Sequence, residues 1–486
     1  MPRGELHQWS VVELAGALAR REVSAVEAVD HLVDRVVARN EPVNLVVALD
    51  VVRARATAAA IDTARVNELP VGPLAGVPMT VKDSLMTEGL VTTSGAPELA
   101  DFVPDRDAVV VERLRRAGAV IYGKTNMPIY GDDVQSFNQV YGTANNPWDR
   151  NRSVGGSSGG SAGALAARFT PLEMGSDIAG SIRNPASMCG VVGHKPSYGI
   201  VSARGQIPGP PGTLTQADLA VVGPLARTVA DCDLALGLLA GPDDWHDPAW
   251  SLTLPPPRTT RVDELRVAVW ADDDHCPVDP EISAAIRAVA GELAAGGATV
   301  DHVARPDGFD FARADGIFDQ LLGAAEAASW SHAEIEELAA AAAAGETVSG
   351  GLGVTGASIR HRGWLSANER RLQMRAAWRR FFADWDVVLA PVSPTVAIPH
   401  DHSMPMSDRR IDVAGTSRPY TDQMRWMGLF GVSYLPVTVV PIGLHSSGLP
   451  FGVQVVGPFL EDRTALAAAA LVETIAGGTP CPPGWD

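Results

Sequence analysis

The chain has 486 residues, 46% hydrophobic and 20% charged, enough for one large core or two to three smaller ones. Its 39 basic and 57 acidic side chains leave a formal charge of −18, which argues against nucleic acid and anionic membranes as partners, since phosphate contacts need clustered Lys and Arg. The four cysteines, Cys189, Cys232, Cys276 and Cys481, have neither disulfide nor zinc spacing, no run has the basic start and apolar core of a leader, and no apolar span reaches the roughly 18 residues of a membrane helix. A cytoplasmic protein with no metal or other cofactor is expected.

Residues 10–39 read as two helices, because Ser10 with Glu13 and Ser24 with Glu27 have capping-box spacing. On the second, Val26, Val29, Val33, Val36 and Val37 form an apolar stripe that reads as core packing. A short strand over 43–49 and an alanine-rich helix to about residue 66 follow. The run 76–81 is an apolar strand that ends in Lys82, followed by a helix over 108–117 and a strand over 119–122. Alternation of this kind predicts an α/β fold with a mostly parallel or mixed sheet covered on both faces.

Residues 152–193 hold the densest collection of glycines and hydroxyls in the chain. Ser157 and Ser158 sit between glycine pairs, and GSDIAGS repeats the recipe around Ser181. Such runs let backbone N–H groups approach a bound group closely. A flexible linker is an unsuitable reading, because ALAARFTPLEM anchors both loops as a helix followed by a strand. A phosphate-binding Walker loop lacks its lysine. Gly156 to Gly160 also satisfies G-x-S-x-G, but the preceding residues are too short and polar for the strand that a nucleophile elbow requires.

Farther on, helix 229–239 leads to a Pro/Asp/Trp-rich stretch that reads as a surface loop or subdomain boundary. A strand over 265–270, a helix over 280–295 and a mostly helical region over 309–384, interrupted at 345–356, come next. Strand 387–390, an irregular loop over 394–420, strands over 430–441 and 451–458, and a helix over 465–475 close the chain. His400 and His402 form an H-x-H pair with no third ligand nearby, which reads as incidental.

Only three of the 39 basic residues are lysines: Lys82, Lys124 and Lys195. Arginine has filled the generic positions, so each lysine marks a place where a compact ammonium, or its ability to lose a proton, matters. Lys82, at the end of a buried strand, is the best candidate base, against the alternative of an ion pair with Asp83. Lys124 and Lys195 read as structural hydrogen-bond donors.

Taken together, GPLAGVPMTVKDS, IYGKTN, NNPWD, GGSSGGSAG, GSDIAGSIRNPASMCGVVGHKPSYG, VGPLART and LPFGVQVVGP resemble the amidase signature family of serine hydrolases over most of the chain. The resemblance implies one amidase domain over 1–486, an α/β/α sandwich with a central mixed sheet, a signature core over 60–240 and a mostly helical insertion or cap over 241–385. It implies that Ser181 is the nucleophile, that Ser157 is a bridging serine on a cis peptide bond and that Lys82 is the base. It also implies that the backbone N–H groups of Ile178, Ala179, Gly180 and Ser181 form the oxyanion hole, and that no metal is needed. The chemistry is coherent: neutral Lys82 takes the proton of Ser181 through Ser157 and returns it to an amine leaving group.

Two departures stand out: Ala179 occupies a position that is often Gly, and Ile129 one that is often Glu. Tyr130, Gln135, Gly156 and Ser158 are candidate substrate contacts. The pocket is expected to be lined by 130–138, 206–216, the 309–365 helices and 400–426, whose Trp, Met, Phe and Pro content suits an apolar acyl or aryl group. The expected reaction is hydrolysis of a linear amide by a monomer or homodimer, with carbamate or aryl ester cleavage as the close alternative. A glutamine-hydrolysing subunit of a tRNA-dependent amidotransferase is a third reading. Its usual SSLDQ is replaced here by LTQADLAVV, which favours a stand-alone enzyme.

Overall fold

The two capping boxes form as the sequence predicts. Ser10 accepts from the Glu13 N–H at 3.2 Å while the Glu13 carboxylate accepts from the Ser10 N–H at 2.9 Å, opening α1 (Val11–Ala19). Ser24 and Glu27 do the same for α2 (Ala25–Arg39). The computed structural model describes residues 5–207, 210–327, 330–343, 354–478 and 481–486. Among them, no helix is long and apolar enough to cross a membrane.

Next come β1 (Val46–Leu49), α3 (Val51–Val66), β2 (Pro78–Lys82), α4 (Val109–Arg116) and β3 (Val120–Thr125). These three strands make a small sheet in the order β1-β3-β2, with β2 parallel and β1 antiparallel to β3. A short hairpin of β4 (Phe137–Asn138) and β5 (Gly142–Thr143) precedes α5 (Gly159–Ala166), β6 (Leu172–Asp177), α6 (Arg183–Cys189), β7 (Val192–Lys195), β8 (Val221–Ala226) and α7 (Val229–Leu239). The second half supplies β9 (Arg266–Val269), α8 (Pro280–Ala295), β10 (Thr299–Asp301), α9 (Phe311–Glu326), α10 (His332–Ala343), α11 (Val354–Ala357), α12 (His361–Asp384) and β11 (Val387–Pro391). It ends with β12 (Arg410–Val413), β13 (Thr416–Pro419), α13 (Asp422–Gly431), β14 (Val437–Leu444), β15 (Pro450–Val456) and α14 (Asp462–Ala476).

The large sheet has eight strands in the order β10-β9-β11-β15-β14-β7-β8-β6. Only β9 with β10 and β9 with β11 run parallel; the other five pairings are antiparallel, so the sheet is mixed. Helices α7, α8 and α14 pack on one face, with α5 and α6 on the other. Every residue of β6, β8, β11 and β15 is buried, and near-continuous apolar runs such as VVLAP allow this coverage from both sides.

Three expectations change. Residues 241–385 are no appended helical cap, because β9 and β10 join the main sheet and α8 covers it; only α9 to α12 form a helical layer. The loop over 394–420 contains the β12/β13 hairpin, whose short strands pair around the turn at Ala414 and Gly415. Phe430 belongs to α13, not to a strand, and β14 begins at Val437, because tertiary packing overrides the β propensity of FGVSYL. The break expected at 345–356 falls mainly outside the described residues.

Candidate active site

Strand β2 ends at Lys82, whose side chain points into the junction between the two sheets and is fully buried. Its amino group lies 2.6 Å from Ser157 Oγ and 3.0 Å from Ser176 Oγ. Burial holds its pKa down to about 7, opposed by the charge of Asp177. Lys82 makes no ion pair with Asp83, whose carboxyl instead accepts from the N–H of Thr93 at 3.0 Å and its hydroxyl at 2.5 Å. The bond between Gly156 and Ser157 is cis. Residues 154–158 contain no strand, so the G-x-S-x-G match does not form an elbow. A Cβ on Gly156 would come within 2.6 Å of the Asp133 carbonyl, which accounts for a glycine there.

Strand β6 pairs with β8 from Leu172↔Ala226 to Asp177↔Val221 and delivers the next residues to the same place. Asp177 is buried against Arg183, with Oδ1 accepting from Nη2 at 2.8 Å and Oδ2 from Nε at 3.0 Å. Burial alone would raise its pKa, but the Arg183 charge and hydrogen bonds prevail and hold it down. The same carboxylate shapes the loop after β6, accepting from the N–H groups of Gly180 at 2.9 Å, Ile182 at 3.1 Å and Arg183 at 3.3 Å. Of the four predicted oxyanion donors, Gly180 is therefore engaged, while the N–H groups of Ile178, Ala179 and Ser181 meet no acceptor among the described residues. Gly180 has φ +121°, and a Cβ there would lie 2.3 Å from Met427 Sδ. The extra methyl of Ala179 is absorbed by an apolar cluster that includes Val134, Leu219, Ile317, Phe318 and Met424.

Ser181, 7% exposed, shares one pocket with Lys82, Ser157 and Ser176. The space is about 590 Å³, open to solvent, and its walls include Met127, Tyr130, Ile178, Gln206, Ile207, Thr215 and Gln216. Two predicted wall segments, 130–138 and 206–216, contribute; 309–365 and 400–426 do not line it among the described residues, and α9 instead backs the loop carrying Ala179. Of the candidate substrate contacts, Tyr130 lines the pocket from a left-handed backbone, φ 50°, with its hydroxyl donating to Glu98. Gln135 does not: it is buried and tied to Asp401 and the Tyr420 hydroxyl. Gly156 and Ser158 are also outside the lining, and Ser158 Oγ bridges to Ser176 of β6 at 3.3 Å. Ile129 is 43% exposed and is not among the residues that line the pocket.

Sequence reasoning misses Ser176, Asp177 and Arg183, although the Ser-Asp pair opening SDIAGSIR is a usable signal. Lys124 donates to the Leu85 carbonyl and, at 3.0 Å, to the Thr87 hydroxyl; Lys195 donates to the Pro196 carbonyl at 2.9 Å. Both are buried donors, as the sequence predicts. One set of metal-type donors exists among the described residues, Glu5, His7 and His31. The two rings lie 6° from parallel with His7 Nδ1 and His31 Nε2 3.0 Å apart, which is N–H···N hydrogen-bond geometry, and Arg35 and Arg168 add positive charge nearby.

Comparison with known proteins identifies the family. The chain is 34% identical over 481 residues, 98% of this chain and 88% of its counterpart, to the indoleacetamide hydrolase of Bradyrhizobium diazoefficiens. It is 32% identical over 489 residues to a glutamyl-tRNA(Gln) amidotransferase subunit of Moorella thermoacetica, covering 96% and 97% of the two chains. The solved structure of 6-aminohexanoate cyclic dimer hydrolase superposes with a TM-score of 0.78 at 28% identity over 99% of both chains. The family model described as Amidase matches residues 27–466, and the chain belongs to the amidase signature family.

Proposed function

We propose that this protein is a stand-alone amidase that hydrolyses an uncharged linear amide through an acyl-enzyme on Ser181. The observation that carries the reading is the buried 2.6 Å contact between Lys82 and Ser157, in the pocket that also holds Ser181. With its pKa near 7, Lys82 is substantially neutral at pH 7 and able to accept a proton. Lys82 takes the Ser157 proton as Ser157 takes that of Ser181, and Ser181 Oγ bonds to the amide carbon. When the C–N bond breaks, the proton returns through Ser157 to the nitrogen, which leaves as ammonia or amine. Water then adds to the ester by the same relay, releasing a carboxylic acid and restoring Ser181. The free N–H groups of Ile178, Ala179 and Ser181 are the oxyanion donors in this scheme; one such donor is typically worth ~3–4 kcal/mol.

Carbamates and aryl esters can follow the same path and form the second arm of the substrate question. The reading as part of an amidotransferase is supported by the relatives of that name. Against it, Lys82 is the only cation on the described pocket wall, so no free guanidinium or ammonium is there to hold the α-carboxylate of glutamine.

The test is product release from a panel of acyl anilides, primary amides, aryl carbamates and glutamine. We expect turnover of an uncharged member, no turnover of glutamine, and a loss of ~10⁴-fold or more in kcat for Ser181→Ala. Full activity in that variant sinks the mechanism. Preference for glutamine reverses the substrate assignment.

A further inference from the structure

Away from the catalytic pocket, four arginines gather where α5 ends and the C-terminal segment folds back. Among the described residues, none of them lies within 4.0 Å of a carboxylate. Arg35 donates to the carbonyls of Ala167 and Trp485, Arg39 donates to the Gly484 carbonyl, and Arg227 donates to the carbonyls of Thr170 and Trp9. Arg168 is the least satisfied: its Nε donates to Cys481 Sγ at 3.0 Å, and its two terminal nitrogens have no acceptor among the described residues. In a chain of net charge −18, such a concentration of positive charge without carboxylate partners is unexpected.

Arg168 and Arg227 both face a recess of about 460 Å³, open to solvent and bounded also by Val191, Pro441, Glu473 and Cys481. Both side chains are only partly buried. Neither nearby acid forms an ion pair with these arginines, although Asp231 Oδ2 has no hydrogen-bond partner among the described residues. Glu473 accepts from the Val229 N–H at 3.1 Å, and Asp231 accepts from the Val12 N–H at 2.9 Å. Burial is the main cause that presses Arg35 and Arg227 down to about 10; neighbouring guanidiniums add to it, and the charges of Glu5 near Arg35 and of Asp231 and Glu13 near Arg227 oppose it.

We propose that this recess binds a small oxyanion, held between the guanidinium groups of Arg168 and Arg227. The planar fork of arginine matches two oxygens of phosphate, sulfate or a carboxylate, and Arg168 has both terminal N–H groups free for that purpose. The left-handed backbone of Arg168, φ 59°, turns the chain out of α5 at this position.

Isothermal titration of the intact protein with phosphate and, separately, with malonate tests this, against chloride at matched ionic strength. Saturable binding of phosphate assigns a tetrahedral oxyanion, and saturable binding of malonate alone assigns a carboxylate; either supports the site. Arg168→Gln is expected to weaken that binding about tenfold or more, the loss of one charge-assisted hydrogen bond. Arg168→Lys keeps the charge, is expected to bind at intermediate strength, and serves if the glutamine variant does not fold. No saturable response to either anion, or wild-type affinity in both variants, overturns the proposal. The readout needs no amide hydrolysis, so it stands or falls apart from the catalytic reading.

Discussion

Lys82 is a residue whose identity follows from its surroundings. An arginine at the end of β2 would stay charged in a place where burial penalises charge; lysine can give up its proton there. Since the protonated amine cannot accept a proton, kcat/KM is expected to rise with pH through an apparent value near 7. A pH-rate profile flat from pH 5.5 to 8.5 contradicts this. Lys82→Met fills most of the same volume without an amine, so activity should fall by ~10³-fold or more while the melting temperature stays close to that of wild type, because the cost of burying the amine disappears along with its two hydrogen bonds. A variant equally inactive but also unfolded would give Lys82 a structural role instead.

The decisive element is the turn between β6 and α6. Asp177 anchors it through the N–H groups of Gly180, Ile182 and Arg183, while those of Ile178, Ala179 and Ser181 meet no acceptor among the described residues. Only glycine meets both demands at position 180, a φ of +121° and no Cβ against Met427. Gly180→Ala is expected to lower stability by about 2 kcal/mol or more and activity by roughly 10²-fold. Adding Met427→Ala removes the clash but not the backbone strain, so chemical denaturation should recover only part of the loss. Full recovery would mean that contact alone, not conformation, required the glycine.

At the scale of the whole molecule, the site exists because two sheets meet. Glu173 of β6 accepts hydrogen bonds from Thr80 of β2 and, at 3.4 Å, from Thr125 of β3, so a buried carboxyl stitches the small sheet to the edge of the large one. Burial raises its pKa to about 8. From pH ~4.5 to 8 the folded chain keeps this proton and the unfolded chain does not, so this group costs stability as pH rises, at most ~1.4 kcal/mol per unit. Lys82, Lys124 and Lys195 are lowered and act in the opposite sense, but equally in wild type and variant. Glu173→Gln should therefore gain on wild type in urea unfolding free energy between pH 6 and 8. A constant difference over that range would show that Glu173 is already ionised in the fold.

The sequence by itself determined the family and the local elements. Scarcity of lysine marked all three buried amines, the capping boxes fixed the starts of α1 and α2, and the glycine-serine runs located both loops of the site, because these depend on residue type and short spacing. Only the tertiary structure decided which hydroxyls and walls the chemistry would use. Ser176 gained its place beside Lys82 because β6 borders β2, and Gln135 sits outside the pocket wall, its amide donating to Asp401, 266 residues away. The β10 strand, absent from the sequence reading, likewise joins the eight-stranded sheet, through β9. Such partners are set by long-range pairing, which no local pattern encodes.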